Sequence, residues 1–184
     1  LRQLVENNAR TRFLSREEEE RLLDQLDDRG RAIVQLALQT GLRRGELFGL
    51  EWVHIDVEHG WLTVPRSKNG TARKVPLNAV STAILLRLQS GQGRFVLQSS
   101  RPDKPIDAHN WINRQFIPAV AAAKIADFRF HDLRHTFCSR LVMAGVSLIT
   151  VKELAGHKTL EMTLRYSHLA PDHQKRAITM LEAM

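Results

Sequence analysis

The segment HDLRHTF, residues 131–137, brings two imidazoles and one guanidinium close together. His131 and His135 are four residues apart with Arg134 between them, and residues three and four apart share one face of a helix. The His-x3-His spacing occurs among zinc ligands, but the glutamate of the HExxH pattern is missing and Arg134 would place a permanent cation beside the metal. A guanidinium fork matches phosphate oxygens better. The segment therefore favours an anion, and a helix whose histidines only cap and pack stays open as the alternative.

Four more side chains that could take part in a reaction lie outside this segment. His157 lies at the predicted start of a helix, where backbone N–H groups attract anions. Tyr166 follows nine residues later and is the only tyrosine of the chain. Upstream, Arg43 lies on a predicted tight turn in TGLRRGEL, and Lys68 lies in a predicted hairpin loop. Each is weak evidence alone, since a single tyrosine is usually a core or rim residue.

Helical patterns account for most of the elements that must position these residues. Residues 13–26 contain a helix start in which Ser15 and Glu18 form a capping box. Residues 32–50 form a buried helix that breaks at Gly41, a residue suited to the left-handed backbone that ends many helices. Further helices are predicted near residues 109–123, 131–144, 147–155 and 159–166.

A short sheet interrupts the helices. Residues 61–65 and 73–77 are β-type runs, and Asn69-Gly70 between them is a hairpin turn signal. Pro65 and Pro76 place both strands at sheet edges, because proline cannot donate to a ladder. The predicted fold class is α+β, mainly helical, with one small antiparallel sheet.

Composition and charge point to a nucleic-acid partner. The 184 residues suit one domain, 1–184, and the single Cys138 excludes an internal disulfide and is predicted to be a packed core thiol. The chain has no apolar run long enough to span a membrane and no signal peptide, so a cytoplasmic protein is expected, bacterial or phage-encoded. Residues 1–64 carry a net charge of −3 and residues 65–184 a net charge of +10, which favours a polyanion over a basic surface kept for solubility.

Taken together, these motifs resemble the catalytic domain of the tyrosine recombinases, the phage-integrase family, and the resemblance covers nearly the whole chain. The matching residues are Arg43 in TGLRRGEL, Lys68 in the hairpin, His131 and Arg134 in HDLRH, His157 in LAGH and Tyr166 in LRYSHL. One departure is Ala155, where the family usually carries leucine, and this difference is expected to alter packing. The N-terminal core-binding domain of such enzymes is expected to be absent from this chain.

The resemblance implies a metal-free and cofactor-free strand transfer on DNA. Tyr166 is implied as the nucleophile that forms a 3′-phosphotyrosine and frees a 5′-hydroxyl. Arg43 and Arg134 would clamp the nonbridging phosphate oxygens. Lys68 would protonate the departing 5′-oxygen. The resemblance leaves open which of His131 and His157 accepts the tyrosine proton and which binds a phosphate oxygen.

In the preferred assignment, His131 accepts the proton of Tyr166, and His157 hydrogen-bonds a phosphate oxygen. Glu46, three residues after Arg43, is expected to support the turn or an arginine. His135 is expected to pack structurally, and His168 is expected to point away from the site. Contacts with the DNA backbone are predicted for Arg44, Arg73 and Lys74.

The expected partner is double-stranded DNA. The chain is expected to form a homotetramer on DNA, and a monomer in the absence of DNA is left open. The tail, residues 167–184, either docks on a neighbouring protomer or folds back on its own domain. Integrase-type site-specific recombination is the leading function, with integration, excision and resolution not distinguished. A type IB topoisomerase and a DNA-binding module that does not cut are the alternatives.

Overall fold

A computed structural model of the chain describes residues 12–65, 72–89, 93–101 and 103–170. Its fold is mainly helical with one small antiparallel sheet, which confirms the predicted fold class. No helix in these ranges combines the length and the apolar character that a membrane span requires.

The first helices have the predicted cap and break, but α2 begins at Asp28, four residues before the predicted start. Helix α1, Arg16–Asp24, is capped by Ser15, whose side chain accepts from the backbone of Glu18 while the Glu18 carboxylate accepts from the backbone of Ser15. Helix α2, Asp28–Thr40, ends at Gly41, whose φ of 61° is left-handed. The chain then restarts as the short helix α3, Arg44–Phe48.

The sheet has three strands in the order β1-β2-β3: β1 Ile55–Asp56, β2 Trp61–Val64 and β3 Arg73–Pro76. The predicted hairpin is confirmed by the pairing of Val64 with Arg73, although its Asn69-Gly70 turn lies outside the described residues. The prediction that both strands lie at edges is wrong for β2, which pairs on both sides. Pro65 follows the last residue of β2, so the missing N–H does not interrupt the ladder.

The remaining helices form the second half of the domain. They are α4 Ala79–Leu88, α5 Ala108–Trp111, α6 Ile117–Ala122, α7 Asp132–Met143, α8 Leu148–Ala155 and α9 Glu161–Leu164, with a π-helical turn Ile112–Phe116 between α5 and α6. The helix predicted near residues 159–166 is therefore shorter than expected, and a 3₁₀ turn, Ser167–Leu169, follows it.

Helix α2 lies at the centre of the fold and packs against both α4 and α7. Eight of its thirteen residues are buried. A group of aromatic rings with neighbouring centroids 5.2–6.4 Å apart joins α3 to the segments around α5 and to the chain before α7; it contains Phe48, Trp111, Phe116 and Phe130. A second, smaller apolar cluster joins α7 and α8 and includes Cys138, which is fully buried as predicted.

We expect Gly41→Ala to destabilise the fold by about 3 kcal/mol, since a left-handed alanine costs about 1–2 kcal/mol and overpacking a core costs about as much again. A Cβ at Gly41 would lie 2.3 Å from Cδ1 of Phe137 on α7. Gly45→Ala is the matched control, because a Cβ there meets nothing within 4 Å. Urea unfolding should show Gly45→Ala unchanged or slightly stabilised. Equal destabilisation of both variants would contradict this account.

Candidate active site

The C-terminal end of α8 is where five of the predicted catalytic residues meet: Arg43, His131, Arg134, His157 and Tyr166. Helix α8 packs against α7, α9 and β3, while the turn between α2 and α3 approaches from the other side. These elements enclose a cleft of about 500 Å³. The side chains that line it are Arg43, His131, Arg134, His157, Glu161, Met162, Arg165 and Tyr166.

Arg134 is fixed deep in this cleft and is only 3% exposed. Its Nη1 donates to the carbonyl oxygen of Gly41 at 2.6 Å, and its Nη2 donates to that of Ala155 at 2.5 Å. Burial lowers the pKa of Arg134 to about 10, which still leaves the guanidinium charged at neutral pH. Helix α7 thus presents a cation whose position is set by the ends of α2 and α8.

Glu46 joins two more arginines. Its Oε1 accepts from Nη1 of Arg43 at 2.9 Å and from Nη1 of Arg73 at 3.0 Å, and its Oε2 accepts from Nη2 of Arg73 at 2.7 Å. Burial alone would raise the pKa of the Glu46 carboxyl, but the hydrogen bonds and charges of Arg73 and Arg43 outweigh it and hold the pKa at about 2. The i,i+3 contact between Arg43 and Glu46 suggested by the sequence is present.

Arg73 is turned inward, and this placement does not fit the prediction that it contacts DNA. Its side chain is only 8% exposed, and its Nε donates to the carbonyl oxygen of Leu154 at 3.1 Å. The other two predicted DNA-backbone residues, Arg44 and Lys74, are exposed. Sequence alone could not separate these cases, because the carboxylate that holds Arg73 lies 27 residues away along the chain.

His157 lies at the end of α8 and not at the start of a helix, so that detail of the prediction is wrong. Gly156 terminates α8 with a φ of 66°, and the next helix begins only at Glu161. Nδ1 of His157 lies 2.8 Å from Oγ1 of Thr163, which fixes the ring. Burial and then the nearby charges of the arginines lower the pKa of His157 to about 3, so the imidazole is neutral at pH 7.

Tyr166 is 1% exposed, and its hydroxyl faces the interior. The hydroxyl oxygen lies 2.5 Å from Nδ1 of His135, which is 8% exposed and does not line the cleft. Burial lowers the pKa of His135 to about 4 and raises the pKa of Tyr166. A neutral His135 therefore accepts the hydrogen bond that the phenol donates, and Tyr166 is held protonated.

The histidine beside the phenol is thus His135 rather than His131. His131 is exposed at the rim of the cleft, directly before α7, with its ring edge-on to His135 at 4.8 Å between centroids. The three side chains of HDLRHTF do not share one target, since His131 and Arg134 line the cleft and His135 turns to Tyr166. The i,i+4 spacing in the sequence places His131 and His135 on one side of a helix. It does not say which of the two histidines contacts Tyr166.

Three further predictions concern residues outside or beside this geometry. Lys68, the expected general acid, lies outside the described residues. Among the described residues, no group of three or more His, Cys, Asp or Glu side chains is arranged to hold a metal ion. His168 is exposed and does not line the cleft.

The pKa shifts of the buried histidines predict a loss of stability in mild acid. Below the ordinary histidine pKa of about 6.5 the unfolded chain binds protons that folded His135 and His157 do not, so the free energy of unfolding should fall by ~2–4 kcal/mol towards pH 4.5. Urea unfolding across this range measures the slope. His157→Gln should reduce the slope by about half, because His135 still contributes, and the exposed His168→Gln should leave it unchanged. A slope unaffected by His157→Gln would contradict the assignment.

Ionisation of Tyr166 can be followed without labelling, because it is the only tyrosine. We expect the phenolate absorbance of the folded chain to develop above the ordinary tyrosine pKa of about 10 and that of the urea-unfolded chain to develop near it. Tyr166→Phe supplies the blank, and circular dichroism confirms that the fold persists at each pH. A folded midpoint at or below the unfolded one would rule out the buried, hydrogen-bonded phenol.

Comparison with known proteins places this geometry in a family. Residues 12–173 match the model of the Phage integrase family. The integrase of Salmonella phage P22 is 37% identical over 181 residues, which cover 90% of this chain and 46% of that integrase. The chain therefore spans about half the length of this curated relative.

Solved structures agree with the family match. The catalytic domain of bacteriophage HP1 integrase superposes with a TM-score of 0.70 at 30% identity and covers 91% of this chain and 93% of that one. A lambda integrase dimer, residues 75–356, bound to a COC′ core site has a TM-score of 0.69 at 25% identity and covers 84% of this chain and 58% of that one. The chain belongs to the phage integrase family, and its fold is that of a tyrosine recombinase catalytic domain.

Proposed function

We propose that the chain is the strand-transfer domain of a site-specific DNA recombinase of the integrase type. The observation that carries this proposal is the meeting of two fixed guanidinium groups, Arg43 and Arg134, with His157 and the only tyrosine in one cleft. Two preorganised cations suit a phosphodiester, because the transition state of its cleavage carries added charge on the nonbridging oxygens. The lambda integrase neighbour bound to a DNA core site supports duplex DNA as the partner.

In the proposed reaction the oxygen of Tyr166 attacks the scissile phosphorus in line. A bond between phosphorus and the tyrosine oxygen forms, the bond to the 5′-oxygen breaks, and the free energy of the phosphodiester is kept in a 3′-phosphotyrosine. The 5′-oxygen takes a proton, for which Lys68 is the proposed donor. Attack of the 5′-hydroxyl of another strand on the phosphotyrosine reverses these steps and rejoins DNA.

The resting geometry adds a step before attack. The Tyr166 hydroxyl donates to His135 inside the domain, so this hydrogen bond must break before the oxygen can reach a phosphate between Arg43 and Arg134. We assign the proton of the attacking phenol to His131, which lines the cleft, and not to His135, whose pKa of about 4 makes it a weak base. His157, with Nδ1 held by Thr163, keeps its other ring nitrogen for a phosphate oxygen.

Assembly on DNA belongs to the proposal as well. A tetramer that joins two duplexes is the arrangement expected for recombination, and a tail that links protomers would serve it. Residues 171–184 of that tail lie outside the described residues. The tetramer stays a prediction, and so does the docking of the tail on a neighbouring protomer rather than on its own domain.

Covalent trapping tests the proposed chemistry. We incubate the chain with a pool of labelled, nicked duplexes of randomised sequence in EDTA, denature it, and sequence any DNA that stays attached to protein. We expect an adduct that forms in EDTA and disappears in Tyr166→Phe, which keeps the ring but loses the nucleophilic oxygen. The exposed His168→Gln is the matched control and should form as much adduct as the wild type.

The outcomes separate the alternatives. An adduct that persists in Tyr166→Phe would overturn the assignment of the nucleophile. Tight binding of duplexes without any adduct would favour the DNA-binding module. Relaxation of supercoiled plasmid by the monomeric chain, without exchange between duplexes that carry the selected sequence, would favour the type IB topoisomerase.

A further inference from the structure

Arg165 stands directly before the proposed nucleophile and lines the same cleft. It is the C-cap residue of α9, is half-buried, and shares the cleft with Arg43 and Arg134. None of the predicted site residues of the sequence is Arg165. Its place in the lining of the cleft raises the question of what it binds.

The other arginines around the site are already paired. Arg43 and Arg73 donate to Glu46, and Arg134 donates to two backbone carbonyl oxygens. For Arg165, the described part of the chain offers neither a carboxylate within 4.0 Å nor a hydrogen-bond acceptor. Glu161, one turn earlier on α9, is engaged instead by the side chain of Thr159, which lowers its pKa.

The charge of Arg165 also reaches the other groups of the site. Burial is the main cause of the lowered pKa values of His131, His135 and His157, and the positive charge of Arg165 acts in the same direction on each. At Tyr166 the same charge opposes the effect of burial and favours the phenolate. A guanidinium that influences all four groups lies within the electrostatic environment of the cleft.

We propose that Arg165 is a third guanidinium that binds the scissile phosphate, on the side of the cleft from which Tyr166 attacks. This inference rests on the proposed function. Among the described residues Arg165 has no ion pair that it would have to give up to bind an anion, whereas Arg73 would have to leave Glu46. Because the transition state carries more negative charge than the bound phosphodiester, such a contact should act mainly on the rate of cleavage.

The first experiment measures the rate of adduct formation at saturating DNA, with a nicked duplex selected by the wild-type chain. Arg165→Gln should lower the rate by about 10²-fold, and Arg165→Lys, which keeps the charge and loses the planar fork, should fall between Arg165→Gln and wild type. Lys158→Gln is the matched control, since this exposed cation lies beside His157 and does not line the cleft. It should stay within about twofold of the wild type.

A second experiment asks whether the contact is to the scissile phosphate itself. The selected duplex is prepared with a neutral methylphosphonate at that position, which removes the charge that Arg165 is proposed to bind. The ratio between the rates of wild type and Arg165→Gln should then shrink towards one. A ratio as large as on the native phosphate would place the contact elsewhere on the DNA and overturn the proposal.

The remaining outcomes separate this inference from the function on which it rests. A wild-type chain that forms no adduct with any duplex of the pool contradicts the proposed function. A wild-type adduct formed equally fast by Arg165→Gln contradicts only the role of Arg165. Equal losses in Arg165→Gln and Lys158→Gln would indicate general charge attraction and would also overturn it. Thermal unfolding of each variant by circular dichroism shows that the rates compare folded proteins.

Discussion

The gathering of three guanidinium groups at the C-terminal end of α8 is the constraint on which the site depends. The last carbonyl groups of a helix have no partners within it and carry partial negative charge. Here three consecutive carbonyl oxygens each accept from a different arginine: Leu154 from Arg73, Ala155 from Arg134 and Gly156 from Arg43. One helix end therefore aligns side chains that come from α7, β3 and the turn before α3.

Close packing of cations is costly unless something offsets their repulsion, and Glu46 supplies the offset. It bonds both Arg43 and Arg73, and it keeps its charge because those bonds outweigh the penalty of burial. One carboxylate does not neutralise three guanidinium groups, so the cleft retains an excess of positive charge that is already oriented. Gly156 is part of this arrangement, since a Cβ there would lie 2.8 Å from Nη1 of Arg73.

The proposed nucleophile is held differently from the arginines of the cleft. Arg43 and Arg134 are fixed by hydrogen bonds to backbone carbonyl groups, whereas the hydroxyl of Tyr166 lies beside the apolar cluster between α7 and α8 and donates to His135. Burial there favours the neutral phenol, which is a poor nucleophile. The guanidinium groups of the cleft are thus already oriented, whereas the hydroxyl of Tyr166, whose ring lines the cleft, would have to leave His135 to act as the proposed nucleophile.

The sequence by itself determined the elements and the family: the Ser15 cap, the left-handed Gly41, the hairpin pairing and the motifs that bear the site residues. These follow from short-range rules, because caps, turns and periodicity depend on residues within one or two turns of each other. Only the tertiary structure decided that Arg73 faces inward and that His135 faces Tyr166. An arginine or a histidine has the same local pattern whether it faces water, a carboxylate or a phenol. The choice between these partners is made by the packing of α8 against α7 and β3, which joins residues far apart in the chain.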